Sequence, residues 1–561
     1  MDIVKVFALG GLDEDGRDCY VIEINNDIFV IDCGVSLPDK TIPGIDFLLP
    51  NADYLIKNKD RIRAYIITHG HDETMAGLQY FYKKAPAPIY CTQSTRQSLV
   101  RLATIRKIGC TFDFKVIPAT SSFKIGTRQF HTFQTCHNFC YSFGVAIETD
   151  QGNIIYSGDF IIDYSVRDAG YIFDIKGLSA IAGKPTLLLM SESKKANRPG
   201  YCSPHHLIST YVKKYFLEGN KRIFVTCYWQ NLFRIREIFK MAKEGKKKIY
   251  FYDDYTHKVI TNFMEIEPDL LSKNDIVEKQ DFLRVRAQDI VILMLGIDGE
   301  LYQEMIALSK GINNDKRIAI TKDDIFINAA LARPSLETLQ THAIDAIYRT
   351  GCTVIPLKAK EISAMHAHQD DIKALLSLTR PKYYLPIRGN FVNMMENAKL
   401  ALSMGIGLNH SSVFVLDNGM TLVLDGVRPR VLPNNPEEIL IDPALVDGSG
   451  VSNSANSDLI EERRELGNDG VVVIASTISL SKKCVVSGPD CQMRGFVYVK
   501  EAEPLLKSIT NIYLSEIETA FEAPEHDFEL AKKNIELRSK RFIKRENGRE
   551  PMILPIIVIE E

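Results

Sequence analysis

Short hydrophobic runs make up most of the first part of the chain. Runs such as VKVFAL, CYVIEI, DIFVID and SFGVAIET are separated by turns rich in Gly, Asn and Asp. This pattern is typical of hairpins and meanders and not of a purely parallel sheet. Residues 76–84 and 92–108 instead carry apolar residues at helical spacing. The pattern therefore predicts a layered α/β body with helices outside its sheets.

The rhythm changes between residues 205 and 350, where strand-like and helix-like segments alternate. Helical stretches at 207–216, 232–242 and 302–310 alternate with the runs RIFVTC, KKIYFY and DIVILML. Alternation of this kind favours βαβ units and a parallel sheet. We interpret this segment as a domain inserted into the first body.

The remainder of the chain completes the first body and then adds a further domain. Helices at 369–378 and 391–404 flank the strand KYYLPI, and the strands SVFVL and MTLVL follow. A Pro-, Asn-, Asp-, Ser- and Gly-rich stretch is predicted to be a linker. Beyond it, the strands GVVVIAS, KCVVSG, GFVYV and MILPIIVI and a charged helix around 516–545 predict a small α/β domain. The expected boundaries are 1–204 and 351–427 for the first body, 205–350 for the insertion, 428–457 for the linker and 458–561 for the last domain.

Composition limits the protein class without defining a function. The 561 residues, 45% hydrophobic and 25% charged, fit several globular domains. No apolar run approaches the ~20 residues that cross a bilayer, so we expect a cytoplasmic protein without membrane contact. The net charge of −3 argues against bulk electrostatic binding of nucleic acid but leaves room for a locally basic channel. The 11 cysteines contain no CxxC pair, and we expect reduced, mostly buried thiols.

Candidate metal ligands follow several of the predicted strands. His69 and His71 lie in THGHDETMAGL, so both imidazoles can converge on one ion. Such a pair is weak evidence alone, but Asp32 lies upstream in IDCG, His137 follows in FQTCHNF, and Asp159 follows in YSGDF. This order of Asp, HxH, lone His and GDF resembles the metallo-β-lactamase superfamily.

Longer motifs make the resemblance more specific. ALGGLDEDGRDCYVIEI, GIDFLLPNADYL, NRPGY, SGPDCQMRGFVYV and REPMILP resemble segments of the RNase J family of metallo-β-lactamase/β-CASP ribonucleases, over nearly the whole chain. The resemblance implies an α/β fold: a metallo-β-lactamase αββα sandwich with an inserted β-CASP α/β domain and a small C-terminal α/β domain. It also implies a centre with two zinc ions that hydrolyses RNA.

The family's ligand pattern is only half present. The residues that match the first metal's ligands are His69, His71, His137 and Asp159, with Asp32 expected behind them. The residues at the second metal's ligand positions are Glu73, Thr74 and Arg388. A guanidinium has no lone pair to donate, so we expect one zinc ion at most. Two interpretations of Arg388 stay open: it replaces the missing cation beside a carboxylate, or it points elsewhere.

The resemblance also names residues that would act on RNA. Asp159 and His366, the latter in AMHAH, are the candidate catalytic residues. The candidates for contacts with RNA phosphates are Asn231, Arg234, Glu300, His366 and His368. Several glycines and hydroxyls of the family's phosphate loops are replaced here. Trp229, the only tryptophan, is either a core residue or a platform for a base.

Three hypotheses of function remain. The first is a weakly active or non-catalytic subunit of RNA processing that binds RNA and an active RNase J paralogue, and forms homo- or hetero-oligomers through its C-terminal domain. The second is an active 5′-to-3′ exo- or endoribonuclease that uses one metal. The third is a different hydrolase on the same scaffold, because fold alone does not define a reaction.

Overall fold

The computed structural model describes residues 1–38, 42–332, 336–358, 361–448, 450–453, 457–495, 502–523 and 526–560. The chain forms two compact units. One unit contains Met1–Leu37 and Phe47–Ala444, and the other contains Pro38–Asp46 and Leu445–Glu561.

The first unit is built on three large sheets. Its strands are β1 (Val4–Gly10), β2 (Cys19–Ile24), β3 (Asp27–Ile31), β4 (Phe47–Leu49), β5 (Ile62–Ile66), β6 (Ile89–Cys91), β7 (Phe114–Val116), β8 (Ser121–Ile125), β9 (Arg128–Gln134), β10 (Phe143–Thr149), β11 (Gly152–Tyr156), β12 (Thr186–Glu192), β13 (Ile223–Tyr228), β14 (Lys248–Phe251), β15 (Ile290–Gly296), β16 (Ile325–Asn328), β17 (Thr353–Pro356), β18 (Tyr383–Ile387), β19 (Thr421–Leu424) and β20 (Arg430–Leu432).

Helices cover these sheets. They are α1 (Asp53–Lys57), α2 (Asp72–Met75), α3 (Leu78–Phe81), α4 (Gln93–Ile105), α5 (Ile175–Ala182), α6 (Ser209–Leu217), α7 (Leu232–Glu244), α8 (Asp254–Ile266), α9 (Asp298–Ser309), α10 (Glu337–Tyr348), α11 (Gln369–Thr379) and α12 (Phe391–Ser403).

Two mixed sheets face each other and form the sandwich. The first has the order β20-β19-β1-β2-β3-β5-β6-β7, and the second has the order β18-β12-β11-β10-β9-β8. One buried cluster joins side chains from both, including Ile22 and Phe29 from the first sheet and Phe130, Val145 and Met190 from the second. The predicted hairpins are confirmed at β1–β2–β3 and β8–β9–β10–β11, which pair antiparallel. Parallel pairs then extend both sheets.

The inserted segment forms a separate sheet with the order β14-β15-β13-β16-β17. Every neighbouring pair in it is parallel, which confirms the βαβ prediction. Its interior strand β15 is buried at every position, as expected for a parallel strand covered on both faces. The loop that follows the carboxyl end of β13 lies beside the sandwich.

Three predicted segments differ from the structure. The helix expected at 76–84 is limited to α3, and the short helix α2 precedes it; between them, Gly77 lies against Gly34, where an added Cβ would come 2.4 Å from a carbonyl oxygen. The strand SVFVL is reduced to one bridge, between Tyr384 and Val413. The predicted linker 428–457 contains β20, β21 (Ala444–Asp447) and β22 (Gly450–Asn453). The strands β20, β21 and β22 were not predicted because their hydrophobic runs are short and lie among turn-forming residues.

The second unit has a small sheet and three helices. They are α13 (Ser457–Asp469), β23 (Val471–Ser479), β24 (Cys484–Arg494), α14 (Ala502–Glu522), α15 (Phe528–Asn547) and β25 (Met552–Glu560), with sheet order β24-β23-β25. The single helix predicted around 516–545 is wrong: α14 ends before Pro524, and Asp527 caps α15 by accepting the Leu530 amide at 2.9 Å. The predicted strand GFVYV falls largely outside the described residues. None of the described helices has the length and apolar character that a membrane span requires.

Candidate active site and metal centre

The candidate ligands come together where strands of the two facing sheets end. His69 and His71 follow β5, His137 follows β9, and Asp159 follows β11. The loop that carries the two neighbouring histidines packs tightly against the chain after β3. A Cβ on Gly34 would lie only 1.6 Å from a backbone oxygen of that loop, so this approach requires glycine.

Four side chains form one buried group of potential ligands: His69, His71, His137 and Asp159. Their ligand atoms lie within 4.8 Å of one another. His71 Nδ1 is 3.1 Å from His69 Nε2 and 3.4 Å from His137 Nε2. Asp159 Oδ2 is 3.6 Å from the Nε2 atoms of both His69 and His137. Atoms ~2.0–2.1 Å from one tetrahedral zinc ion are separated by ~3.4 Å, so the group fits a single ion.

Hydrogen bonds on the far side of each ring orient the three imidazoles. His137 Nδ1 lies 2.8 Å from the Met365 carbonyl oxygen, so it donates there and leaves Nε2 facing the group. His69 Nδ1 lies 3.1 Å from the Thr68 hydroxyl, and His71 Nε2 lies 3.4 Å from the Gln230 carbonyl oxygen. Outer partners of this kind fix the tautomer of a metal-ligating histidine. The donor set therefore suits a metal ion.

Burial also keeps two of these imidazoles, those of His69 and His137, neutral. Burial, together with repulsion from the neighbouring imidazoles, lowers the pKa of His69 and of His137 well below the ordinary range. Only neutral imidazole can donate a lone pair to a metal ion. His69 and His137 are thus held in the state that binds metal at neutral pH.

Asp32 stands behind His69. Its carboxylate accepts hydrogen bonds from the Thr68 amide and hydroxyl at 2.9 Å and from the Tyr156 hydroxyl at 2.7 Å. Thr68 in turn contacts the His69 ring, so Asp32 acts on the ligand through one residue. Burial raises the pKa of Asp32 to about 6. Asp32 adopts a left-handed backbone conformation, with φ +57°, which turns the chain back towards the ligands.

Arg388 lies inside the site. It follows β18 in a left-handed conformation, with φ +57°, and it is the largest fully buried side chain of the described residues. Its Nη1 atom lies 2.6 Å from Asp159 Oδ1, and its Nη2 atom lies 2.6 Å from Asp18 Oδ2. Burial opposes the charged form, but the two carboxylates outweigh it and raise the pKa of Arg388. Of the two interpretations, the structure places the guanidinium beside a carboxylate.

The other residues at the second metal's positions do not form a ligand set. The Thr74 hydroxyl contacts the His69 and His71 carbonyl oxygens, at 3.0 and 2.9 Å, so it serves the loop backbone. Glu73 Oε1 lies 3.6 Å from His71 Nδ1 and 3.9 Å from Lys194 Nζ. With Arg388 on Asp159 and Lys194 beside Glu73, the residues present do not fit a second metal ion.

Sequence reasoning missed two acidic residues of the site, Asp18 beside Arg388 and Glu192 beside His366. Glu192, at the end of β12, is fully buried, and its Oε2 lies 2.8 Å from His366 Nδ1. Its other oxygen accepts the Phe160 and Ala367 amides, at 2.8 and 3.2 Å. Burial raises the pKa of Glu192 to about 7. The available signal for Glu192 was an acidic residue at the end of the largely apolar strand TLLLMSE.

His366 lies between Glu192 and the metal ligands. Its Nδ1 atom lies 3.7 Å from Asp159 Oδ2, and its ring stands 5.4 Å from that of His137, centroid to centroid. Burial lowers the pKa of His366. Asp159 and His366, the two candidate catalytic residues, are therefore neighbours in the structure.

The remaining phosphate candidates are engaged in other contacts. Asn231 caps α7 by accepting the Arg234 amide at 3.0 Å, and Arg234 Nη1 donates to the Ala329 carbonyl oxygen at 2.8 Å. His368 is buried, with Nε2 2.8 Å from the Ser363 hydroxyl. Glu300 lies exposed on α9. Asn231, Arg234 and His368 thus bond to other groups of the protein. The structure does not place the four side chains together around a position for a phosphate.

Trp229 is also largely enclosed. The Arg101 guanidinium lies 4.9 Å from the centroid of its ring, and the tryptophan is buried in the main core cluster. This position matches the core interpretation of Trp229, since its accessible face is covered by a cation.

Three family models match the chain. They are the metallo-beta-lactamase superfamily over residues 12–194, the ribonuclease J beta-CASP domain over 220–347, and the ribonuclease J C-terminal domain over 458–559. Among curated relatives, ribonuclease J2 of Bacillus subtilis (strain 168) is 28% identical, across 99% of this chain and 98% of its own length. Ribonuclease J 2 of Staphylococcus aureus (strain NCTC 8325 / PS 47) is 25% identical over the same shares.

One solved structure shows the same fold. It is the crystal structure of a protein of unknown function from Enterococcus faecalis V583, with a TM-score of 0.51 at 14% identity. The match covers 75% of this chain and all of the other. At this identity the likeness concerns the fold alone.

Proposed function

The chain belongs to the ribonuclease J family, and on that premise we propose that it is a cytoplasmic one-metal subunit with weak or no ribonuclease activity of its own. It is an RNase J-like protein of RNA processing. In this proposal it binds RNA and works beside an active RNase J paralogue.

The buried Arg388 is the observation that carries the proposal. Its charge is permanent, and it lies 2.6 Å from Asp159. Lys194 lies beside Glu73, at 3.9 Å. Two side-chain cations thus stand next to both carboxylates that a second divalent ion would need. Paired ions ~3.5–4 Å apart clamp the attacking and leaving oxygens in two-metal hydrolysis, and this support for the reaction is lost here.

The first position is suited to zinc. His69, His71, His137 and Asp159 would hold the ion, and a bound zinc would act there as a Lewis acid. Four protein ligands leave no open coordination position, an arrangement typical of structural zinc sites. Asp159 is shared, because one of its oxygens faces the ligand group and the other faces Arg388. These features support tight retention of one ion and slow chemistry.

A second candidate function, an active ribonuclease with one metal, is favoured by the Glu192–His366 pair. A buried carboxyl with a pKa of about 7 beside an imidazole can hold or deliver a proton near neutral pH. The pair lies next to Asp159, where a leaving oxygen of RNA could receive that proton. Activity that depends on this pair would favour the second candidate. A different hydrolase on the same scaffold has no observation in its favour.

The partner proposal draws on the second unit by itself. Along β25, Leu554, Ile556 and Val558 face away from the core and are 43%, 45% and 53% exposed. The alternate residues Ile553 and Ile557 belong to the core or pack against it. A row of exposed apolar side chains on a sheet face is typical of a protein interaction site. We propose that this row contacts the active paralogue or a second copy of the chain.

An RNA cleavage assay tests the catalytic part of the proposal. The purified chain is incubated with a 5′-monophosphorylated RNA, beside His69→Ala, Asp159→Ala and the exposed control His342→Ala. We expect weak or no cleavage by all four proteins. Strong cleavage by wild type and the control, lost in both ligand variants, would replace the proposal with the one-metal ribonuclease. Cleavage that persists in every variant would reveal a contaminant.

Co-purification with an active RNase J tests the partner part. Ile556→Glu with Val558→Glu should abolish retention of the paralogue, whereas Leu283→Glu, at another exposed apolar residue (76% exposed), should leave it intact. A wild-type chain that stays monomeric and retains no paralogue would contradict this part.

A further inference from the structure

A short basic segment borders the active site. Residues 193–206 read SKKANRPGYCSPHH, with Lys194, Lys195 and Arg198 and without a single Asp or Glu. The whole chain, by contrast, carries a net charge of −3. We call residues 193–206 the basic segment.

Hydrogen bonds hold the basic segment against the loop that carries His366. The Gln369 amide donates to the Arg198 carbonyl oxygen at 3.0 Å, and the Ser363 amide donates to the His205 carbonyl oxygen at 2.8 Å. At its start, the Ser193 amide donates to the Arg388 carbonyl oxygen at 3.0 Å. The segment is therefore fixed on two sides of the active site and is not a free surface loop.

Lys195 and Arg198 are half-buried cations without an acidic partner. No carboxylate of the described residues lies within ion-pair distance of either side chain, although Lys194, next along the chain, has Asp15 at 2.7 Å. Burial lowers the pKa of Lys195, as do Arg198 and Lys194, while Asp15 opposes them. Partly buried cations that repel each other raise the free energy of the fold unless an anion joins them.

The acidic groups that face this region are already engaged. Asp371 accepts the Ile162, Cys202 and His368 amides, at 2.7, 2.9 and 3.0 Å. The other acidic groups have cationic or histidine partners: Asp15 has Lys194 at 2.7 Å, Asp370 has Lys373 at 2.8 Å, Asp163 has His206 at 3.3 Å, and Glu192 has His366 at 2.8 Å. Among the described residues, no carboxylate is thus left to pair with Lys195 or Arg198.

We propose that Lys195 and Arg198 form a phosphate subsite that binds the backbone of single-stranded RNA next to His366. The segment offers two positive charges on a fixed backbone, and a flexible strand can bring adjacent phosphates to both. The subsite rests on the proposed RNA-processing function, and it does not require metal or catalysis. It also gives an acidic chain a local site where polyanion binding is favourable.

Salt dependence of RNA binding tests the subsite. Binding of a short single-stranded RNA to the protein as purified is titrated at several KCl concentrations, and a gel checks that the RNA stays intact. Each lost phosphate contact reduces the log–log salt slope by ~0.7 for single strands. Lys195→Gln with Arg198→Gln should therefore reduce the slope by about 1.4. Matched thermal unfolding curves establish that the variant is folded.

A matched control comes from the inserted domain. Lys322→Gln with Arg349→Gln removes one lysine and one arginine that are exposed and have no ion pair among the described residues. They precede β16 and β17, so they lie at the opposite end of the parallel strands from the loop after β13. The control should bind RNA with the wild-type slope.

RNAs with 5′-monophosphate and 5′-hydroxyl ends identify the bound phosphate. A loss confined to the 5′-monophosphate RNA assigns the subsite to the terminal phosphate, and an equal loss on both assigns it to internal phosphodiesters. A variant with the wild-type slope on both RNAs would overturn the subsite. So would a wild type that binds neither RNA, even if its metal content and its paralogue were as proposed.

Discussion

Arg388→Met isolates the contribution of the buried guanidinium. Methionine fills most of the volume and removes the charge, so Asp159 and Asp18 lose the cation that lies 2.6 Å from each. Removing one partner of a buried ion pair costs ~3–5 kcal/mol, because the other charge stays buried and uncompensated. Both buried carboxylates would lose their cation, so we expect the free energy of unfolding to fall by about 4 kcal/mol at pH 8.

The loss should depend on pH in a defined direction. Burial already raises the pKa of both carboxyls, and removal of the guanidinium raises it further. A carboxyl whose folded pKa is raised binds more protons in the folded state, so stability falls as pH rises above the ordinary value near 4. The difference between Arg388→Met and wild type should therefore shrink as pH falls from 8 towards 4.

Urea unfolding in EDTA measures both effects, with Arg349→Met at an exposed site as the control. Added zinc should recover part of the loss, because Asp159 faces the ligand group and binding stabilises only the folded state. A second change, Asp18→Asn, should also restore part of it. A loss below about 1 kcal/mol at pH 8, or one that does not change with pH, would refute the buried ion-pair reasoning.

Other changes test the rest of the site. Thr74→Val should lower the free energy of unfolding by about 1–2 kcal/mol, since its hydroxyl contacts two loop carbonyls; urea unfolding that matched the exposed Thr341→Val would contradict this. Glu192→Gln should gain stability relative to wild type as pH rises from about 4.5 to 7, by about 3 kcal/mol at most, because the folded-state pKa of Glu192 is about 7; a pH-independent difference would show that its carboxyl is not perturbed. His137→Ala should lose bound zinc and the zinc-induced rise in Tm, whereas the exposed His342→Ala keeps both; an unchanged rise in His137→Ala would remove His137 from the ligand set.

The metal-ligand part of the site could be predicted because its residues lie in short local motifs. The HxH pair and the GDF motif each follow a strand within a few residues, and their order along the chain, together with the family resemblance, identified His69, His71 and Asp159 as candidate ligands. Glu192 pairs with His366 across 174 residues of sequence, and such a contact exists only once β12 and the later loop are packed together. The pairing of Arg388 with Asp18 is likewise a tertiary contact.

The fold shows the same division. The parallel sheet of the inserted segment was predictable because strand-like runs alternate with helical stretches between residues 205 and 350. The strands β21 and β22 have only four residues each, and pattern alone did not separate them from the turn residues around them. Pro524 signals the break between α14 and α15 in the sequence. The helical pattern of charged residues continues on both sides of it, so the two helices were interpreted as one.

Zinc content per chain tests the central claim most directly. The purified protein is saturated with zinc, dialysed against metal-free buffer, and analysed for zinc and protein content. With Arg388 on Asp159 and Lys194 beside Glu73, the account predicts one ion per chain. Two ions per chain, together with cleavage of 5′-monophosphorylated RNA, would contradict it.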